Sequence, residues 1–177
     1  PNVLRGNAGN DTLNGAGGDD ILDGGAGQDI LNGGLANDTY LFGNDWGTGD
    51  TVIENTGEGY DALDFTTVTR PLTISLNNLN VVDGINTVSH TGNGIDRIIG
   101  GGAADTFNIN TSATMDLSGG AGDDTFVFGN AVSLTGTLDG GTGNDTFDFS
   151  FFASGSNVLL TGLGNIDGFN GKSSGIL

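Results

Sequence analysis

Aspartate recurs at positions 11, 20, 29 and 38, nine residues apart, and an apolar or aromatic residue follows each two places on: Leu13, Leu22, Leu31 and Tyr40. Spacing this regular brings carboxylates together whenever the chain coils back on itself. Carboxylates held within several ångströms of one another protonate, move apart or gather a cation between them. The residues around them favour the cation. The four blocks GNAGNDTLN, GAGGDDILD, GGAGQDILN and GGLANDTYL begin at Gly6, Gly15, Gly24 and Gly33, and aspartate always holds the sixth place. Glycine fills most of the first four places, where tight left-handed turns cost it no steric penalty and let backbone carbonyls face inward.

The pattern returns further along the chain. DWGTGDTVI and TGEGYDALD are looser copies that place Asp50 and Asp61 at the sixth position. TGNGIDRII and GGGAADTFN supply Asp96 and Asp105, and GGAGDDTFV and GGTGNDTFD supply Asp124 and Asp145. Carboxylates together with carbonyls form a set of hard oxygen donors. That set suits Ca²⁺, which takes six to eight oxygens at about 2.3–2.6 Å, better than Mg²⁺, which demands an octahedron and keeps its water. One loop cannot complete such a shell, whereas two loops stacked one coil apart can. The register pairs Asp11 with Asp29, Asp20 with Asp38, Asp105 with Asp124, and Asp124 with Asp145. Asp61 is expected to stand apart, because its loop is isolated in spacing.

Composition points to a fold that depends on something positively charged. Glycine contributes 35 of 177 residues, and acidic residues outnumber basic ones 22 to 4, for a net charge of -18. Backbone entropy and self-repulsion both oppose folding of such a chain. Yet 35% of its residues are hydrophobic and they recur at fixed places, unlike those of a disordered segment. The lack of basic clusters excludes nucleic acid as a partner. No apolar run reaches the length of a membrane span, and the N-terminus has no signal-like apolar stretch. With no cysteine, disulfides and thiolate metal sites are excluded, so the staple expected of a thin-cored extracellular chain is an ion.

The elements that position the aspartates are short strands. Glycine interrupts every helical window, whereas TFVF and TFDFS put Phe126 with Phe128, and Phe147 with Phe149, on one face. RPLTISLNN reads as a further strand. The expected fold is all-β, a right-handed parallel β-roll or β-solenoid without notable helices, whose coils stack about 4.8 Å apart. Residues 1–64 form a nonapeptide roll with loops on both sides, residues 65–90 are connecting coils, and residues 91–177 form a broader solenoid with one loop per coil. Phe107, Phe126 and Phe147 make an inward ladder.

These repeats resemble the RTX (repeats-in-toxin) haemolysin-type calcium-binding family, whose G-G-x-G-x-D-x-U-x pattern GGAGQDILN and GGAGDDTFV match at every fixed place. NDTYLFGNDWGTGDTVIE, residues 37–54, looks like the end of an RTX block. The resemblance implies several Ca²⁺ ions, folding outside the cell and secretion by a type I route. It implies ligation by the place-six aspartates Asp11, Asp20, Asp29, Asp38, Asp105, Asp124 and Asp145. It extends to Asp50, Asp61 and Asp96, whose loops lack one or more glycines. Backbone carbonyls of the first four places complete the set: Gly6, Gly9, Gly15, Gly18, Gly24, Gly27, Gly33, Gly100, Gly119, Gly122, Gly140 and Gly143. Ala36 and Ala103 depart from the pattern at place four.

The remaining features carry no enzyme. His90 has no nucleophile beside it and reads as a turn or surface residue, and no catalytic motif is present. Asp19–Asp20 and Asp123–Asp124 are adjacent pairs that point apart, so neither is a dyad. Thr106, Thr125 and Thr146 form one outward column, too narrow for an ice-binding face. The function expected is a calcium-binding structural module of a secreted or cell-surface protein. Such a module stacks end to end into a filament or adhesin stalk, with Leu4 and Leu13 at one end, Val158 and Leu160 at the other, and Asp11 meeting Asp167. The alternatives are the secretion tail of an enzyme and an ice- or glycan-binding module. Homo-oligomers or tandem copies are the expected partners besides calcium, with no nucleic acid and no membrane insertion.

Overall fold

The computed structural model describes residues 1–91 and 93–151, so the features expected at Val158, Leu160 and Asp167 lie outside the described residues. The strands are short because a glycine-rich turn interrupts each after a few residues. In chain order they are β1 (Val3–Arg5), β2 (Thr12–Asn14), β3 (Ile21–Asp23), β4 (Ile30–Asn32), β5 (Thr39–Leu41), β6 (Thr48–Ile53) and β7 (Asp61–Asp64). Then come β8 (Thr73–Ser75), β9 (Asn80–Val82), β10 (Thr87–Thr91), β11 (Ile95–Ile99) and β12 (Thr106–Ile109). The last are β13 (Ala113–Thr114), β14 (Asp116–Ser118), β15 (Thr125–Phe128), β16 (Leu134–Thr135), β17 (Leu138–Asp139) and β18 (Thr146–Asp148). Among the described residues there is no helix.

Successive strands alternate between two walls. One wall is a seven-stranded sheet in the order β1-β3-β5-β7-β11-β14-β17, parallel throughout. The other is nine-stranded, β18-β15-β12-β8-β9-β10-β6-β4-β2. Each coil contributes one strand to the first wall, which gives a parallel β-solenoid of seven coils. The all-β solenoid expected from the repeats is the observed fold.

Within each strand the side chains alternate. Leu22, Leu31, Tyr40, Val52 and Leu63 face inward and are fully or almost fully buried. In the later coils Phe107, Phe126 and Phe147 lie in register on β12, β15 and β18. The first two rings stack with centroids 4.6 Å apart, an arrangement favoured beyond simple area burial. Between the two regions Phe42 and Phe65 stack at 4.7 Å, with Trp46 edge-on to both.

One feature of the middle departs from an all-parallel stack. Strand β9 runs antiparallel to both β8 and β10. Residues 65–90 therefore contain a meander, not simple coils. Arg70 pins it, reaching Asp83 and the Asn44 carbonyl, while Asp83 also accepts the amides of Ile85 (2.9 Å) and Asn86 (2.7 Å). The meander splits the aspartate column of the nine-stranded wall into two runs, while the seven-stranded wall passes through unbroken.

Candidate metal centres

Most place-six aspartates immediately precede or begin a strand, while Asp50 and Asp96 lie within β6 and β11. Their side chains run along the stack, not outward. The Asp11 amide donates to Asp29 Oδ1 (2.8 Å), and the Asp29 amide donates to Asp50 Oδ1 (2.8 Å). On the other wall Asp20 donates to Asp38 (2.7 Å), Asp38 to Asp61 (2.8 Å) and Asp61 to Asp96 Oδ2 (3.0 Å). Past the meander, Leu72 donates to Asp105 (2.7 Å), Asp105 to Asp124 (2.7 Å) and Asp124 to Asp145 (3.0 Å). These are three ladders in which one carboxylate oxygen of each rung is held by the amide of the preceding rung.

The second oxygen has a different environment. Oδ2 of Asp11, Asp20, Asp29, Asp38, Asp61 and Asp124 is buried with no hydrogen-bond partner. Buried polar groups are almost always satisfied, and an unpaired buried charge is among the costliest features a fold can carry. A cation bound at these oxygens removes that cost. The glycine at place one shows where the oxygens converge. A Cβ built on Gly15 would collide with Asp20 Oδ2 and lie 2.6 Å from the Gly33 carbonyl oxygen. On Gly119 it would collide with Asp124 Oδ2 and with the Gly140 oxygen, and on Gly6 with the Gly24 oxygen and Asp11 Oδ2. A side chain at Gly6, Gly15, Gly100 or Gly119 would therefore fill a cradle lined by one carboxylate and by the place-one carbonyl of the next coil. These donors fit Ca²⁺: they are hard oxygens from two stacked loops, part charge and part carbonyl.

The electrostatics agree. Burial pushes the Asp50 and Asp124 carboxyls up to about 7, with Asp29 adding to the first and Asp105 and Asp145 to the second. Burial likewise pushes Asp61 up to about 6 and raises Asp38 and Asp105. Without a cation these carboxylates resist ionisation.

The aspartates are brought together in the pairs the register predicts, and Asp61 is a correction. Far from being isolated, it stands between Asp38 and Asp96 in the ladder of the seven-stranded wall. Asp96 itself is the extra residue of a bulge, because Ile95 pairs with Asp61 and Arg97 with Ala62. The place-one glycines Gly6, Gly15, Gly24, Gly33, Gly100, Gly119 and Gly140 border the cradles. The place-four glycines Gly9, Gly18, Gly27, Gly122 and Gly143 all have positive φ and shape the turn. The Gly27 carbonyl accepts the Thr48 amide (3.2 Å). Ala36 adopts φ 81° despite its side chain, so that turn keeps its shape without glycine. His90 is another correction: it lies in strand β10, partly buried, and burial lowers its pKa.

Two features escaped the sequence reading. Place five forms a second column, in which Asn10 accepts the Gln28 amide, Asp19 the Asn37 amide and Asp123 the Asn144 amide. These bonds run from each coil to the one before it, opposite to those of place six, so every turn is tied to both neighbours. The signal was present in the repeated ND, DD and QD pairs. The other is Glu54, fully buried beside Asp38 and Asp61, with one oxygen of each residue within 4.8 Å of the other two.

A parallel β-roll whose turns stack aspartates and glycine carbonyls around shared cradles is a calcium-binding β-solenoid. The chain belongs to the family of RTX calcium-binding nonapeptide repeats, which matches it in four copies over residues 2–40, 83–108, 116–130 and 136–150, more than half its length. Neither a curated protein nor a solved structure matches it. The fold is a structural, calcium-binding one. Among the described residues, no helix is long and apolar enough to cross a membrane.

Proposed function

We propose that this chain is an extracellular structural module that folds as it takes up several Ca²⁺ ions along its three aspartate ladders. The observation that carries the reading is the set of six buried, unpartnered aspartate oxygens, three of which, on Asp11, Asp20 and Asp124, share a cradle with a glycine carbonyl of the neighbouring coil. Ion binding then becomes folding free energy, and millimolar extracellular calcium supplies it outside the cell. The ladder aspartates are the ligands, with the place-one carbonyls as their neutral partners. Place-four carbonyls shape the loop more than they ligate.

Stacking with further coils follows from the edges. Strands β1 and β2 lie at the edges of their sheets with unpaired backbone groups, Val3 is 62% exposed, and Leu4 and Leu13 are only partly buried. Another coil, from a longer chain or a second copy, covers these edges and extends the array into a stalk or filament. Titration calorimetry with calcium tests the ladder. Asp124 lies between two rungs and Asp11 is the first of its run. Asp124→Ala is expected to lose two ions and Asp11→Ala one. Equal losses contradict shared ligation.

A further inference from the structure

We propose that Glu54 is a calcium ligand, making the Asp38–Asp61 rung a three-carboxylate centre and the tightest site of the array. This rests on the reading of the ladders given above, and adds to it a residue outside the nonapeptide pattern.

The register gives the reason. Asn32 pairs with Ile53, so Glu54 occupies the position above Gly33 where a regular coil carries its place-one glycine. In the coil below, the Gly33 carbonyl borders the Asp20 cradle. At Glu54 that place carries a side chain instead, and its carboxylate joins the rung beside Asp38 and Asp61. Its Oε1 accepts the Tyr40 hydroxyl and the Gly34 amide (3.3 Å), and the Tyr40 oxygen in turn accepts the Gly33 amide (2.7 Å). These bonds fix the carboxylate and leave Oε2 buried with no partner. Asp38 Oδ2 and Asp61 Oδ2 are in the same state. All three residues are at most 1% exposed. Three buried carboxylates with an orphaned oxygen apiece, converging within 4.8 Å, require a cation. Ligand charge raises calcium affinity, so this rung fills before the two-carboxylate rungs. The loop that follows it, Asn55–Asp61, is longer than a standard turn, and Tyr40 and Glu54 lock the coil in which it starts.

Two experiments test the proposal. Calcium calorimetry compares the intact chain with Glu54→Gln, which keeps the acceptor for Tyr40 and Gly34 but removes the charge. The tightest phase should weaken about tenfold or more while the other ions bind unchanged, as loss of one charged ligand predicts. An unaltered tight phase in the variant overturns the proposal. Should the intact chain bind no calcium, the ladder reading itself falls. The second experiment leaves Glu54 intact and does not depend on the folding of Glu54→Gln. The chain has only two glutamates, Glu54 and Glu58. Infrared spectra of Glu58→Gln labelled with ¹³C-carboxyl glutamate therefore report Glu54 alone. Its carboxylate stretches should shift between the Ca²⁺-loaded and Sr²⁺-loaded chain if it ligates. Identical bands in the two forms show that Glu54 does not touch the ion.

Discussion

Between Gly6 and Asp38 the chain turns every nine residues and carries aspartate loops on both sides of a narrow coil. Between Gly100 and Asp145 the loops stand on one side only, with rungs 19 and 21 residues apart. The narrow coils bury one large apolar residue per strand, such as Leu22 or Leu31. The broad coils bury two, Phe126 with Phe128 and Phe147 with Phe149, and add a small third sheet of β13 and β16. A coil with half the apolar side chains depends more on the ions at its edges. On the proposed function the same motif would serve two physical ends: in the first region it would supply much of the folding free energy, and in the second it would lock one corner of an aromatic core.

Removing calcium separates the regions most sharply. Hydrogen exchange during chelation should show the amides of β2, β3 and β4 losing protection first and those of β12 and β15 last. Simultaneous loss would mean that one cooperative unit spans the meander. The next effect is that of the core. With calcium saturating, Phe126→Ala should cost about 3–5 kcal/mol in chemical denaturation, the usual range for a buried ring, without reducing the number of ions bound. If ions are lost as well, the aromatic stack and the ladder are not independent supports.

A smaller effect is confined to one cradle. Gly119→Ala places a methyl group against Asp124 Oδ2 and the Gly140 oxygen. Calorimetry should show one ion lost or weakened about tenfold or more, because the methyl group takes the room in which the oxygens converge on the ion. Gly57→Ala, where a Cβ meets nothing within 4 Å, should leave every ion in place and cost only the strain of its positive φ. Matching ion losses in the two variants would remove the cradle from the account.

The weakest effect is that of pH. Burial raises Asp50, Asp124 and Glu54 to about 7 and Asp61 to about 6, against about 4 in an unfolded chain. The ion-free fold therefore binds more protons than the unfolded chain between about pH 4 and 7, and its stability falls as pH rises through that window. In chelator, where the chain is largely unfolded at neutral pH, fluorescence of the single buried tryptophan, Trp46, should report a larger folded fraction at pH 5 than at pH 7.5. In calcium the order should reverse, because protons compete with the ion. A folded fraction in chelator indifferent to pH would contradict the raised carboxyls.

Much of this was legible in the sequence because the nonapeptide is a strong local code. Aspartate at place six, an apolar residue at place eight and 18-residue pairing fix the coil, the inward face and the ladder partners together. What escaped depends on where the code breaks. The two extra residues between Glu54 and Asp61 made Asp61 look isolated, yet the pairing of β5 with β7, Thr39 with Ala62, returns it to the stack above Asp38. Glu54 carries no motif, and only its burial beside Tyr40 gives it a role. The reversal of β9 rests on long-range contacts of Arg70 with Asp83 and Asn44, which no periodicity encodes. Place five was passed over because asparagine and aspartate in a glycine-rich turn ordinarily bond their own backbone.

The central claim is that ion binding and folding are one event. Far-ultraviolet circular dichroism of the chelated chain, titrated with Ca²⁺ to about millimolar levels, the range of extracellular calcium modules, addresses it most directly. The account predicts a largely unfolded spectrum without the ion and a cooperative gain of β-signal on its addition. A chain that keeps its full β-signal after exhaustive dialysis against chelator would contradict it.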